Sequence, residues 1–132
     1  MSRTGRSGVI ALVAWTGVVW TTRIGNIWGD DALGTGEKWG RTGLAVSFTV
    51  LAGATAWALL QRAAWLRTAT LLLAGWTAAV WAMRAVGIAT GDHSAAFIVV
   101  HLVLATVSIA LAGLASRVTT QDRIPVSDRL PR

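Results

Sequence analysis

The sequence predicts an all-α integral membrane protein in which four transmembrane helices form two tandem hairpins. Three observations predict it. The first is composition. Of 132 residues, 54% are hydrophobic and 14% charged, whereas a soluble domain carries about 25% charged residues, so much of the surface faces something other than water. The second is that apolar stretches long enough to span a bilayer core occur four times, separated by polar segments. The third is an internal repeat. The stretch from Trp15 to Arg23, with Thr16, Val19 and Trp20, returns from Trp76 to Arg84, with Thr77, Val80 and Trp81, at a constant offset of 61. The same register matches Leu12 with Leu73, Ile27 with Ile88 and Asp31 with Asp92. Up to Ile27 the matched positions follow i, i+3, i+4, i+7, i+8, i+11 and i+15, one side of an α-helix. A helix face is therefore what is repeated, and a repeated face either packs against its twin or lines something shared.

The elements follow in order. Residues 1–7 are a short basic N-terminus containing Arg3 and Arg6. A first transmembrane helix runs from Gly8 to about Trp28. It lacks a small-x-small cleavage site, and its face recurs internally, which argues against a signal peptide. Gly29–Gly40 reads as a flexible polar loop with four glycines; its Gly-x-Gly fragment lacks the Lys-Ser/Thr ending of a phosphate loop, and its acids lack calcium-loop spacing. A second helix, Thr42 to Leu60, is rich in small residues that let membrane helices approach closely. Residues 61–67 form a basic turn. A third helix, about Thr68 to Ile88, carries the second copy of the motif. Residues 89–94 form a short loop, and a fourth helix runs from about Ala95 to Ser116 with His101 inside it. The boundaries are thus a transmembrane domain at 1–118, with repeats at approximately 8–62 and 67–117, and a polar cytoplasmic tail at 119–132, its last ten residues expected to be disordered. The second and fourth helices share Val-Leu-Ala at 50–52 and 103–105 and little else, and the linker of the second unit is about eight residues shorter.

Orientation follows from basic residues. The side holding both termini and the 61–67 turn carries Arg3, Arg6, Arg62, Arg67, Arg117, Arg123, Arg129 and Arg132; the other carries Arg23, Lys38, Arg41 and Arg84. The excess predicts both termini in the cytoplasm, in the cell membrane. Each unit crosses twice, so both copies point the same way and a pseudo-two-fold axis runs along the membrane normal. Eleven of the twelve basic residues are Arg, a usage that suggests a GC-rich bacterial coding sequence.

The net charge of +6 does not point to nucleic acid, because the basic residues cap apolar segments and form no stripe. There is no cysteine, hence no disulfide, thiolate nucleophile or Cys-bound metal. No acid lies within a helix and no catalytic constellation is visible, so the reading is non-enzymatic, without catalytic residues, metal or cofactor. Arg23 and Arg84 carry the most information. Each lies about five residues inside the outer end of its helix, where a charge is costly and faces the bundle interior or snorkels to headgroups. On the repeated face they converge near the pseudo-axis. Asp31 and Asp92 are the expected salt-bridge partners, crosswise. A ligand-binding site is expected at Arg23, Arg84, Trp20, Trp81, Thr16, Thr77, Asn26 and His101, with arginine forks for carboxylate or phosphate and tryptophan walls.

The leading expectation is thus an outer-leaflet Arg/Trp cluster that binds a lipid or anionic small ligand, or docks a partner membrane subunit. The alternatives are an oligomeric transporter or channel subunit, a homodimer in the simplest case, and a redox subunit holding haem through His101. Haem between two imidazoles requires a second histidine at similar depth, and His93 stands at the loop edge.

Overall fold

The computed structural model describes residues 3–121, with side chains for residues 5–117. Four helices make up this length: α1 (Arg3–Trp28), α2 (Thr35–Leu60), α3 (Leu66–Thr90) and α4 (Ala95–Gln121). At about 1.5 Å per residue each spans roughly 40 Å, and each contains a stretch long and apolar enough to cross a membrane. This is the architecture of an all-helical, multi-pass membrane protein. Each helix packs on the next, and α4 closes the ring onto α1.

The buried positions advance in steps of three and four, as helix geometry requires. They are Val9, Leu12, Thr16 and Trp20 on α1; Ala45, Phe48, Ala52, Thr55 and Leu59 on α2; Thr70, Leu73, Thr77, Val80 and Trp81 on α3; Ala105, Ser108, Ala112 and Ala115 on α4. The α4 stripe is all Ala and Ser, so that helix packs through its backbone. Outward positions are equally apolar: Val18, Val50, Leu60, Leu72, Met83 and Val99 are all exposed. Hydrophobic exteriors of this kind are covered by lipid, while helical hydrogen bonding satisfies the backbone within each segment.

Several boundaries differ from the sequence expectation. α1 starts at Arg3 and not Gly8, and α4 continues to Gln121, so the start of the expected tail is helical. Residues 122–132, which include both prolines and the segment expected to be disordered, lie outside the described residues. The largest change is in α2, which begins at Thr35 and not Thr42. Its first turns hold together for local reasons. The Lys38 N–H donates to the Gly34 carbonyl at 2.9 Å, Glu37 sits at the positive end of the helix dipole, and Glu37 pairs with Arg41 one turn later. Trp39 then meets Trp28 edge-on, ring centroids 5.3 Å apart, and Trp28 Nε1 donates to Thr42 Oγ1 at 3.2 Å. The expected loop Gly29–Gly40 therefore shrinks to residues 29–34, against residues 91–94 in the second hairpin. The expected eight-residue difference between linkers falls to two.

Two tryptophans tie neighbouring helices together. Trp15 Nε1 donates to Ser108 Oγ at 2.9 Å, joining α1 to α4. Trp76 Nε1 donates to Ser47 Oγ at 3.1 Å, joining α3 to α2. Ser47 and Ser108 are themselves 61 apart, as are Thr55 and Ser116, whose hydroxyls each donate to the carbonyl four residues back at 2.8 Å.

Candidate functional site

Arg23 stands five residues before the end of α1 and Arg84 six before the end of α3, about 8–9 Å below the helix ends. Each follows a buried stripe. Thr16, Trp20 and Ile27 on α1 are 2%, 3% and 3% exposed; Thr77, Trp81 and Ile88 on α3 are 2%, 3% and 9% exposed. The two stripes face one another across the ring, where Trp20 and Trp81 meet with centroids 6.3 Å apart. This contact brings Arg23 and Arg84, one turn further on, onto the wall of one cavity of about 290 Å³.

Of the eight expected ligand residues, six line that cavity: Arg23, Arg84, Trp20, Trp81, Asn26 and His101. Thr16 and Thr77 do not. They lie buried among the helices one turn below Trp20 and Trp81, and Thr77 Oγ1 has no hydrogen-bond partner. The cavity is not central. Trp15, Val18, Val19 and Thr22 of α1 and Leu104 of α4 complete it, and Val18, 64% exposed, stands at its rim. It therefore opens on the flank of the bundle between α1 and α4, with the Trp15–Ser108 hydrogen bond joining the two walls. The opposite flank is filled. Phe48 of α2 is wholly buried and stacks on Trp20, centroids 4.0 Å apart and planes 6° apart. Ile109, 61 residues on, points outward at 39% exposure.

The expected partners Asp31 and Asp92 do not reach the arginines. α1 ends at Trp28 and α3 at Thr90, so both aspartates stand on loops past the helix ends and are exposed. In the first loop Asp30 accepts the Ala32 N–H at 3.0 Å, holding that turn locally. Among the described residues Arg23 and Arg84 have no carboxylate partner; the Arg41–Glu37 pair lies on α2 alone. The Arg84 guanidinium instead lies 5.8 Å from the Trp20 ring centroid, within cation–π range. An adjoining cavity of about 350 Å³ shares Arg23, Arg84 and His101 and adds Arg41, His93 and Phe97. Three guanidiniums thus surround one space, and only one of them is matched by an acid.

His101 Nδ1 lies 2.9 Å from the Phe97 carbonyl. A carbonyl only accepts, so Nδ1 carries the proton and donates. The rings of His93, Phe97 and His101 follow one another in contact, with successive centroids 4.7 and 3.9 Å apart and planes tilted by 36° and 30°. Phe97 therefore lies between the two imidazoles, and they are not placed to take opposite faces of one haem.

Sequence reasoning missed Arg41, Phe48 and the serine partners of Trp15 and Trp76. In the sequence Arg41 bears on topology only, because the segment before Thr42 reads as loop. Its signal was Glu37 four residues earlier, the spacing of a helical ion pair. The serines were visible at the offset of 61 already used for the tryptophans.

Comparisons of the chain with protein-family profiles, curated proteins and solved structures return no match.

Proposed function

We propose that this is a non-enzymatic membrane protein that binds an amphiphile with an anionic headgroup, its phosphate or carboxylate held by Arg23 and Arg84 and its apolar part leaving between α1 and α4. The observation that carries the reading is the pair of half-buried arginines on one cavity wall with no carboxylate beside them. A charge inside a membrane segment is expensive and is kept where it has a use. Trp15, Trp20 and Trp81 give the ligand apolar walls, and Asn26 and His101 give it polar contacts. The exposed rim at Val18 supports entry from the lipid phase.

The wider setting is part of the same reading. The chain is a duplicated hairpin, supported by matched burial at Leu12 and Leu73, Thr16 and Thr77, and Trp20 and Trp81, and by the crosswise Trp–Ser bonds. The contact between Trp20 and Trp81, equivalent residues, supports a pseudo-two-fold axis between them. With both termini cytoplasmic in a bacterial cell membrane, the site faces the outer leaflet. Transport by a single chain gains no support, because the half of the bundle containing Val9, Leu12, Ala52, Leu59, Leu73, Ala112 and Ala115 is closely packed and apolar.

The test is native mass spectrometry of the protein purified from its own membrane, beside an Arg23→Gln/Arg84→Gln double variant. Wild type is expected to retain an anionic amphiphile that the variant loses. Because the variant removes two unpaired charges, it should melt at the same temperature as ligand-free wild type or above it. A variant that unfolds, from a wild type that carries nothing, would assign the arginines a structural role and end the proposal.

A further inference from the structure

The opposite end of the bundle holds a second cavity, of about 470 Å³, lined by Arg6 of α1, Leu59 of α2, Arg62 and Ala63 of the α2–α3 turn, and Leu66 of α3. It lies about 25 Å from Arg23 along α1, so the two sites are independent. Two guanidiniums form its polar rim and Leu59 and Leu66 its apolar floor; among the described residues no acid lines it.

The backbone at Arg62 adds a separate observation. α2 ends in a Schellman motif. The Ala63 N–H donates to the Ala58 carbonyl at 2.9 Å, and the Arg62 N–H approaches the Leu59 carbonyl at 3.4 Å. The motif puts Arg62 at the position where helices usually carry glycine, and its φ is 51°, the one positive value among the described non-glycine residues. Left-handed backbone disfavours a residue with a Cβ, whereas glycine adopts it freely. The chain has 14 glycines but places arginine here. Arg67, next in sequence to Leu66 but outside the cavity lining, has a buried Nε without a hydrogen-bond partner.

We infer that the Arg6/Arg62 cavity is a binding site for a phosphate ester, its oxygens held by the two guanidiniums and its glycerol or acyl portion lying on Leu59 and Leu66. Basic pockets between membrane helices recognise lipid headgroups by this chemistry, and arginine matches phosphate through paired N–H donors.

The test uses the full chain, delipidated in detergent and offered phosphatidylglycerol or phosphatidylcholine, with bound lipid counted by native mass spectrometry. The Arg23→Gln/Arg84→Gln chain, which lacks the other anionic site, is expected to bind one phosphatidylglycerol that Arg62→Gly and Arg6→Gln, added to it, each weaken at least tenfold. Arg62→Gly relieves the backbone, so it should melt no lower than wild type, and weaker binding cannot then be ascribed to unfolding. Soluble sn-glycerol 1-phosphate at millimolar concentration separates the sources: displacement of the lipid assigns the site to free phosphate esters, and failure to displace assigns it to the lipid. Equal binding of both lipids would assign recognition to the phosphate alone, and undiminished phosphatidylglycerol binding by Arg62→Gly and Arg6→Gln would overturn the proposal.

Discussion

Thr77 shows how a single side chain departs from its setting. Thr55 and Thr70 are fully buried, and each returns its hydroxyl proton to the carbonyl four residues back, at 2.8 and 2.9 Å. Thr77 is as deeply buried, yet its Oγ1 has no partner. A buried polar atom left unmatched costs about 1–3 kcal/mol, and a valine of nearly the same shape removes that cost. Thr77→Val should therefore raise the thermal midpoint, with a gain of about 1 kcal/mol, whereas Thr55→Val should be neutral or lower it. Melting curves of the two variants in one detergent decide the matter; equal shifts would mean that the missing bond is without consequence. At this scale the site was partly legible in the sequence. Arg23, Arg84, Trp20 and Trp81 were found because charge and aromatic size recur in register. The state of each hydroxyl and the fate of Asp31 and Asp92 were not legible, because they depend on where a helix stops and which way a rotamer turns.

Between elements, the seams are tied by indole–serine hydrogen bonds. Helices in lipid gain little from apolar burial against one another, since acyl chains are as apolar as leucine, so packing and polar contacts carry the association. Ser108 is 1% exposed and Trp15 half-buried, whereas Trp76 on the other seam is 40% exposed. An interhelical hydrogen bond in a membrane contributes on average about 0.6 kcal/mol, at most about 1.7. Ser108→Ala should fall toward the upper end, because the Trp15 indole N–H then has no partner in a half-buried position; Ser47→Ala should fall toward the lower. Subunit-independent unfolding in mixed micelles measures both, and a larger loss from Ser47→Ala would contradict the argument. Because Trp15 also lines the Arg cavity, Ser108→Ala should loosen ligand binding as well. The four helices themselves were legible from hydropathy alone. The first two turns of α2 were not, since Gly36 and Gly40 argue for loop, and what holds them is the Glu37–Arg41 pair and the Trp28–Trp39 contact. The second contact joins residues eleven apart on different helices, so it exists only once the hairpin has closed.

For the whole molecule the decisive quantity is orientation, because it determines which leaflet would supply the ligand proposed for each site. Arg6, Arg62, Arg67 and Arg117 gather at one end of the described bundle and Arg23, Lys38, Arg41 and Arg84 at the other, so these residues alone are evenly divided. They are not equivalent, however. Arg23 and Arg84 lie within helices on a cavity wall and Arg41 is paired with Glu37, whereas the arginines of the first group stand at helix ends or in the turn, where the positive-inside rule counts them. The acids Asp30, Asp31, Glu37 and Asp92 all lie at the second end. The chain contains no cysteine, so single cysteines can report topology without background. Ala32→Cys, in the α1–α2 loop, should react with a membrane-impermeant maleimide on intact cells, and Ala64→Cys, in the α2–α3 turn, only after permeabilisation. Both alanines are exposed, so neither variant disturbs a packed position. The opposite labelling pattern would move the Arg23/Arg84 cleft to the cytoplasmic leaflet, where its ligand would come from inside the cell, and would turn the Arg6/Arg62 site outward. The chemistry of each site would survive that reversal, but its source of ligand would not.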